Sequence, residues 1–136
     1  MPWTLSTEFT FDSAHTITGY DGPCGRLHGH TYRVRLELTS AGLRPSAFLQ
    51  RPVMVADFRT LKWAKKDVEA GGLDHAYLND LPELEDDTTA EVIAAYLHRE
   101  TLRRVRETLP AGDDGADLKL RVKLWETPDS CCEYWE

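Results

Sequence analysis

The stretch that most constrains the fold of this chain is an alternating segment that begins at residue 28. It reads H-G-H-T-Y-R-V-R-L-E-L, and from Tyr32 onward apolar side chains alternate with charged ones. A period of two is typical of a β-strand with one buried face. The same phase puts His28 and His30 on one face at the start of the strand, with Gly29 between them. Two imidazoles on one face, with the Cys24 thiol four residues before His28, indicate a metal site or a catalytic site.

A third histidine makes zinc the favoured metal. His15 closes the segment F-D-S-A-H, where the first predicted strand ends. Neutral imidazole nitrogen is a good zinc ligand, and three histidines leave the fourth tetrahedral position open for water or substrate. Two alternatives remain from the residues alone. His28 and His30 can be strand-end residues with ordinary hydrogen bonds, or Cys24 can close a purely structural site as a fourth ligand.

Three other segments also have the pattern of strands. A regular alternation of leucine and valine with lysine and arginine precedes Trp125, and Cys131 and Cys132 lie in a short final strand. The predicted strands cover residues 4–11, 28–39, 117–127 and 131–135.

Two amphipathic helices are predicted between the second and third strands. Asp57 is the expected N-cap of the first, and Gly71-Gly72 ends it in a left-handed conformation. Thr88-x-x-Glu91 has the pattern of a capping box that opens the second. The order ββααββ predicts an α+β fold, a four-stranded antiparallel sheet with two helices on one face, in a single domain of residues 1–136. His98, alone in the second helix, is expected on the surface or in packing.

Composition excludes several classes of function. Sixteen basic and twenty-three acidic residues give a net charge of −7, which argues against nucleic acid as the main partner. No apolar run approaches the roughly 20 residues that span a bilayer, so no membrane role is expected. Three cysteines without a secretory signal pattern fit a reducing compartment, and a cytoplasmic location is predicted.

Five motifs, in this order along almost the whole chain, resemble the 6-pyruvoyl-tetrahydropterin synthase family. The resemblance implies the tunnelling fold of that family, in which three subunits join their sheets into a barrel. Two such rings stack as a homohexamer, with the active sites between subunits. The motifs are F-D-S-A-H, C-G-R-L-H-G-H-T-Y-R-V, L-D-H-A-Y-L-N at 73–79, T-T-A-E at 88–91 and L-W-E-T at 124–127.

The resemblance also implies a role for each site residue. His15, His28 and His30 would hold Zn²⁺, and Cys24 would move protons at carbon. From the residues alone, a D-H pair such as Asp74-His75 is more often a turn cap beside a polar histidine, and a glutamate after an apolar strand is usually solvated. The resemblance assigns catalysis to Cys24, Asp74 and His75, and pterin binding to Glu126, Thr89 and Glu91.

The substrate that the resemblance implies is a small pterin triphosphate, 7,8-dihydroneopterin triphosphate. The C-x3-H-G-H spacing is similar to that of the bacterial members that form a carboxylated product. The expected products are therefore 6-carboxy-5,6,7,8-tetrahydropterin, acetaldehyde and triphosphate, within queuosine and 7-deazaguanine biosynthesis. The alternatives are formation of the 6-pyruvoyl product, aldolase-like cleavage of dihydroneopterin, and a non-enzymatic, zinc-stabilised pterin-binding module.

Overall fold

The fold is a five-stranded sheet with two α-helices, described by a computed structural model of residues 2–136, with the backbone alone at 63 and 64. The strand order in the sheet is β3-β1-β2-β4-β5. Short 3₁₀ turns lie at Pro23–Gly25, Leu78–Asp80 and Pro82–Leu84. The elements are β1 Trp3–His15, β2 His28–Ser40, α1 Phe58–Ala70, β3 Ala76–Tyr77, α2 Ala90–Glu107, β4 Lys119–Thr127 and β5 Ser130–Trp135.

The sheet corrects one part of the sequence prediction. The α+β class and the four long antiparallel strands are present, but a fifth strand, β3, pairs parallel with β1. The sheet is therefore mixed, and the prediction of four antiparallel strands is wrong in that detail. β3 has only two residues, which is too short for any periodicity to reveal it. The first strand also continues past the predicted end at residue 11, and its last pair is His15 with His28.

One face of the sheet is buried beneath the helices. Ten apolar positions of the alternating segments are at most 7% exposed, and they pack against Leu61 and Val68 of α1 and against α2, whereas Leu5 is only partly buried. Burial of alternate side chains on each strand is what the period of two predicts. Among the described residues, no helix combines the length and apolar character that crossing a membrane requires. These ten positions are Phe9, Phe11, Tyr32, Val34, Leu36, Leu38, Leu120, Val122 and Leu124 in the strands, and Leu118 directly before β4.

The helix ends agree with the predictions only in part. Asp57 caps α1 and accepts a hydrogen bond from the Arg59 amide at 2.8 Å. Gly72, at φ +89°, supplies the left-handed residue after that helix. The capping box predicted from Thr88 is wrong, because Thr89 is the N-cap of α2 and accepts from the Val92 amide at 3.3 Å.

Candidate metal centre

Three imidazoles meet where β1 ends and β2 begins. The antiparallel register places His15 opposite His28, and Ser13 opposite His30, so all three rings lie on the helix-covered face. Ring centroids are 4.5 Å apart for His15 and His28, 4.8 Å for His28 and His30, and 5.1 Å for His15 and His30. One nitrogen from each ring lies within 4.8 Å of the others, so the cluster has the dimensions of a metal site.

Backbone carbonyls determine which nitrogen of two of these rings faces the cluster. Nδ1 of His15 lies 2.9 Å from the carbonyl oxygen of Thr88, and Nδ1 of His28 lies 2.7 Å from that of Arg26. A carbonyl oxygen can only accept, so each Nδ1 carries the hydrogen and each Nε2 presents a lone pair. The two Nε2 atoms are 3.0 Å apart. Two lone pairs at that distance repel one another unless a cation or proton lies between them.

His30 completes the test of whether a metal fits. Its Nε2 is buried and has no hydrogen-bond partner among the described residues. The Oε1 atom of Glu126 is 3.5 Å away, beyond good hydrogen-bonding distance. A buried polar atom without a partner costs about 1–3 kcal/mol of folding free energy, and a metal ion bound at this nitrogen would remove that cost. Three inward-facing imidazole nitrogens form a donor set that fits Zn²⁺ and leaves one tetrahedral position open.

The environment keeps the cluster in the state that binds metal. Burial lowers the pKa of His15, and repulsion from a charge on His28 or His30 lowers it further, against the raising effect of the Thr88 carbonyl and Glu126. Burial is also the main cause of the lowered pKa of His30, where Glu126 opposes it. Only neutral imidazole can ligate a metal, so these shifts favour metal binding at neutral pH and somewhat below it.

Cys24 lies on the loop between the two histidine-bearing strands. It sits in the turn Pro23–Gly25, is exposed, and forms no disulfide. Its backbone carbonyl accepts a hydrogen bond from the Ile17 amide at 2.9 Å. The thiol does not belong to the metal-sized cluster of the three imidazoles. Within the described part of the chain, the closed site with Cys24 as fourth ligand is therefore not formed.

Asp74 and His75 lie on the other side of β1. Their side chains gather around the carboxylate of Asp12, which by strand alternation points away from the face that bears His15. The Asp74 carboxylate accepts from the Asp12 amide at 3.0 Å and lies 3.7 Å from Nε2 of His75. His75 has φ +53°, so a turn aims its ring back at Asp74, and the ring is 78% exposed. One chain does not bring this pair to the imidazole cluster.

Of the three residues expected to bind pterin, only Glu126 reaches the imidazoles. It lies near the end of β4, and its side chain is 27% exposed, so a ligand can reach it from solvent. Thr89 and Glu91 lie at the start of α2, where Thr89 caps the helix and Glu91 is exposed. No described contact joins either of them to the three rings.

Two residues at the site were missed by sequence reasoning. Thr88 is buried, holds His15 through its carbonyl, and donates its hydroxyl to the Thr16 carbonyl at 3.0 Å. Tyr32 is fully buried with its ring 5.4 Å from that of His30, and its hydroxyl has no partner among the described residues. Burial, with the nearby Glu126 charge, raises the pKa of Tyr32 well above its ordinary value. Strand phase points to Tyr32, whereas Thr88 resembled only a helix cap.

Comparison with known proteins gives one consistent result. The profile of the family described as 6-pyruvoyl tetrahydropterin synthase matches residues 4–136. A Haemophilus influenzae protein named 6-carboxy-5,6,7,8-tetrahydropterin synthase is 34% identical, over 97% of this chain and 98% of that protein. A Synechocystis protein of the same name is 39% identical, over 70% of this chain and 71% of that protein. The solved 6-pyruvoyl tetrahydropterin synthase of Caenorhabditis elegans shares the fold, with a TM-score of 0.69 and 22% identity over 100% of this chain and 96% of that one.

Proposed function

The chain belongs to the 6-pyruvoyl tetrahydropterin synthase family, and on this premise we propose that it is a 6-carboxy-5,6,7,8-tetrahydropterin synthase. The reaction converts 7,8-dihydroneopterin triphosphate to 6-carboxytetrahydropterin, acetaldehyde and triphosphate, as a step of queuosine biosynthesis. Curated relatives at 34% and 39% identity carry this name. The observation that carries the proposal is the cluster of three imidazoles with the Glu126 carboxylate 3.5 Å from His30.

The cluster is proposed as the zinc site of the enzyme. His15, His28 and His30 would hold the ion through ring nitrogens that face one another. When bound, Zn²⁺ supplies a Lewis acid that polarises the oxygens of the substrate side chain. The carbonyls of Thr88 and Arg26 hold the rings of His15 and His28 in the orientation that such binding needs.

Glu126 is proposed as the pterin anchor. A carboxylate has two acceptor oxygens, and the exocyclic amine and N3–H of a pterin are two donors side by side, so the pair can bond in a bidentate manner. Because Glu126 is adjacent to His30, a pterin anchored there lies beside the imidazole cluster. Thr89 and Glu91, at the start of α2, are proposed to line the same pocket.

Proton transfer at carbon is proposed for Cys24, assisted by Asp74 and His75. A thiolate is the active form of such a group, and an Asp–His pair can stabilise it by orienting the ring and holding a positive charge. Asp74 and His75 lie on the opposite face of β1 from the imidazoles of their own chain. We therefore place them in the site of a neighbouring subunit, so that catalysis requires assembly.

The assembly proposed is a homohexamer of the tunnelling-fold type. β3 pairs with β1 only at Ser13 and Ala14, and β5 pairs only with β4, so in the described part of the chain both sheet edges have open stretches. Open edges favour strand pairing between subunits. A solution mass of six chains would support this arrangement, and a fully active monomer would contradict it. A cytoplasmic location remains a prediction from the three free cysteines.

The test of the activity is incubation of the zinc-loaded protein with 7,8-dihydroneopterin triphosphate. Mass spectrometry should find 6-carboxytetrahydropterin, and trapping with a hydrazine should find acetaldehyde in equal amount. A product with the mass of the 6-pyruvoyl compound would assign the alternative synthase activity. Dihydroneopterin cleavage would assign the aldolase-like one. Pterin binding without any turnover would leave a binding module.

A further inference from the structure

Asn79, the only asparagine of the chain, is bound to the segment that follows His15. It lies in the turn Leu78–Asp80, directly after β3. Its side-chain oxygen accepts from the Thr16 amide at 2.9 Å, and its nitrogen donates to the Thr16 carbonyl at 2.8 Å. A side-chain amide that pairs with both backbone groups of one residue reproduces the pairing of a neighbouring strand. Thr16 is thereby held where β1 has ended.

A second bond extends this connection toward α2. The Asn79 nitrogen also donates to the Asp86 carboxylate at 2.8 Å, and the other oxygen of Asp86 accepts from the Thr18 hydroxyl at 3.0 Å. These two hydrogen bonds lower the pKa of Asp86, so its carboxylate stays ionised as an acceptor. The Thr16 carbonyl receives a further bond from Thr88, the residue that holds the ring of His15. His15 is therefore fixed both through its ring and through the next residue of the chain.

The same connection reaches Cys24. The Ile17 amide, one residue after Thr16, donates to the Cys24 carbonyl at 2.9 Å. The anchored end of the loop thus sets where the backbone of Cys24 lies. Asn79 itself follows His75 by four residues, through the strand β3 that pairs with Ser13 and Ala14. One side chain joins the segments that carry His15, Cys24 and His75.

We propose that Asn79 is a positioning residue that holds His15 for metal binding and the Cys24 loop for proton transfer. It does not touch the substrate. The part that concerns Cys24 rests on the proposed function, whereas the part that concerns metal binding requires only the imidazole cluster. A purely structural role in a turn would change stability alone, so the test needs readouts at His15 and at Cys24.

The test uses Asn79→Asp, which keeps the shape of the side chain but removes both N–H donors. The new carboxylate faces the Asp86 carboxylate and the Thr16 carbonyl, so both contacts become repulsive. The double variant Asn79→Asp/Asp86→Asn restores a donor between the two side chains and the original net charge. Asp80→Asn, at the exposed next residue, is the control for a nearby change of charge.

Two measurements are made on the whole 136-residue chain. Zinc affinity comes from competition with a chromophoric chelator, and loop order comes from the rate of Cys24 alkylation relative to exposed Cys131, by peptide mass spectrometry. Asn79→Asp should weaken zinc binding about tenfold, which is the lower end of the range for groups that support metal ligands. It should also raise the ratio of the Cys24 alkylation rate to that of Cys131 severalfold. The double variant should recover part of both effects, and Asp80→Asn should show neither.

The proposal is overturned if Asn79→Asp lowers the free energy of unfolding while zinc affinity and the alkylation ratio stay at wild-type values. If Asn79→Asp does not fold, Asp86→Asn takes its place. That variant leaves residue 86 with one acceptor oxygen in place of two and removes its charge, which weakens its bonds to Asn79 and Thr18. It should shift both readouts in the same direction by a smaller factor, and wild-type values for it overturn the proposal. Neither readout involves a pterin, so absence of synthase activity would refute the proposed function separately.

Discussion

Replacing Glu126 by glutamine tests the proposed pterin anchor most directly. Glu126→Gln keeps the size of the side chain and replaces one acceptor oxygen with an NH₂ donor. The change lies near the end of β4, where the side chain is about one-quarter exposed, and its carboxylate forms no hydrogen bond with the described residues; its ion-pair partner is Nε2 of His30, at 3.5 Å. The folded protein should therefore tolerate the substitution.

The expected loss of pterin affinity follows from the hydrogen bonds that the ligand would lose. A pterin offers two donors to this carboxylate, and in the variant one of them faces another donor. A buried donor left without an acceptor costs about 1–3 kcal/mol, and the loss of a charge-assisted bond acts in the same direction. Pterin affinity should fall roughly tenfold to a hundredfold. Zinc content should not change, because Glu126 is outside the group of three imidazoles.

The assay is a fluorescence titration of zinc-loaded protein with neopterin, a pterin that lacks the triphosphate leaving group. Glu133→Gln is the matched control, since Glu133 carries the same side chain on β5 and pairs with Arg121 at 2.8 Å. It should bind neopterin as the wild type does. Equal affinities for wild type and Glu126→Gln would show that Glu126 is solvated in the complex and that the pterin pocket lies elsewhere.

Four further predictions test the rest of the site. Dialysed wild type should retain about one zinc per chain by elemental analysis and His28→Ala far less; equal metal in both would refute the ligand assignment. Cys24→Ala should keep zinc and neopterin affinity but lose most turnover, and a loss of zinc in proportion to activity would instead make the thiol a ligand. Tyr32→Phe removes a buried hydroxyl without a described partner, so urea unfolding of metal-free protein should show equal stability or a gain of up to about 1 kcal/mol, and a clear loss would reveal a partner. Burial lowers the pKa of His98, so the unfolded chain takes up this proton first as pH falls. The contribution of neutral His98 to the free energy of unfolding is therefore complete above about pH 6.5 and is lost as pH falls below it. Between pH 7.5 and 5.5 the free energy of unfolding of His98→Gln should fall less than that of the wild type.

Local chain geometry was enough to predict the four long strands and the three histidines of the site. Successive side chains of a strand point to opposite faces, so the alternation from Tyr32 to Leu38 revealed the buried face directly. The same geometry placed His28 and His30 together. His15 was found because it ends a strand, although the strand proved longer than its alternating part. These inferences needed only the covalent geometry of neighbouring residues.

Tertiary structure decided what lies around those residues. Thr88 supports His15 across 73 positions of the chain, and Asn79 pairs with Thr16 across 63. Each uses backbone groups or a single amide, and such groups leave no periodic pattern in a sequence. The position of Asp74 and His75 on the far face of β1 likewise depends on β3, whose two residues are too few to show a period. Which distant segments meet is set by the packing of the whole chain, because the energy of those contacts appears only when the sheet and helices have formed.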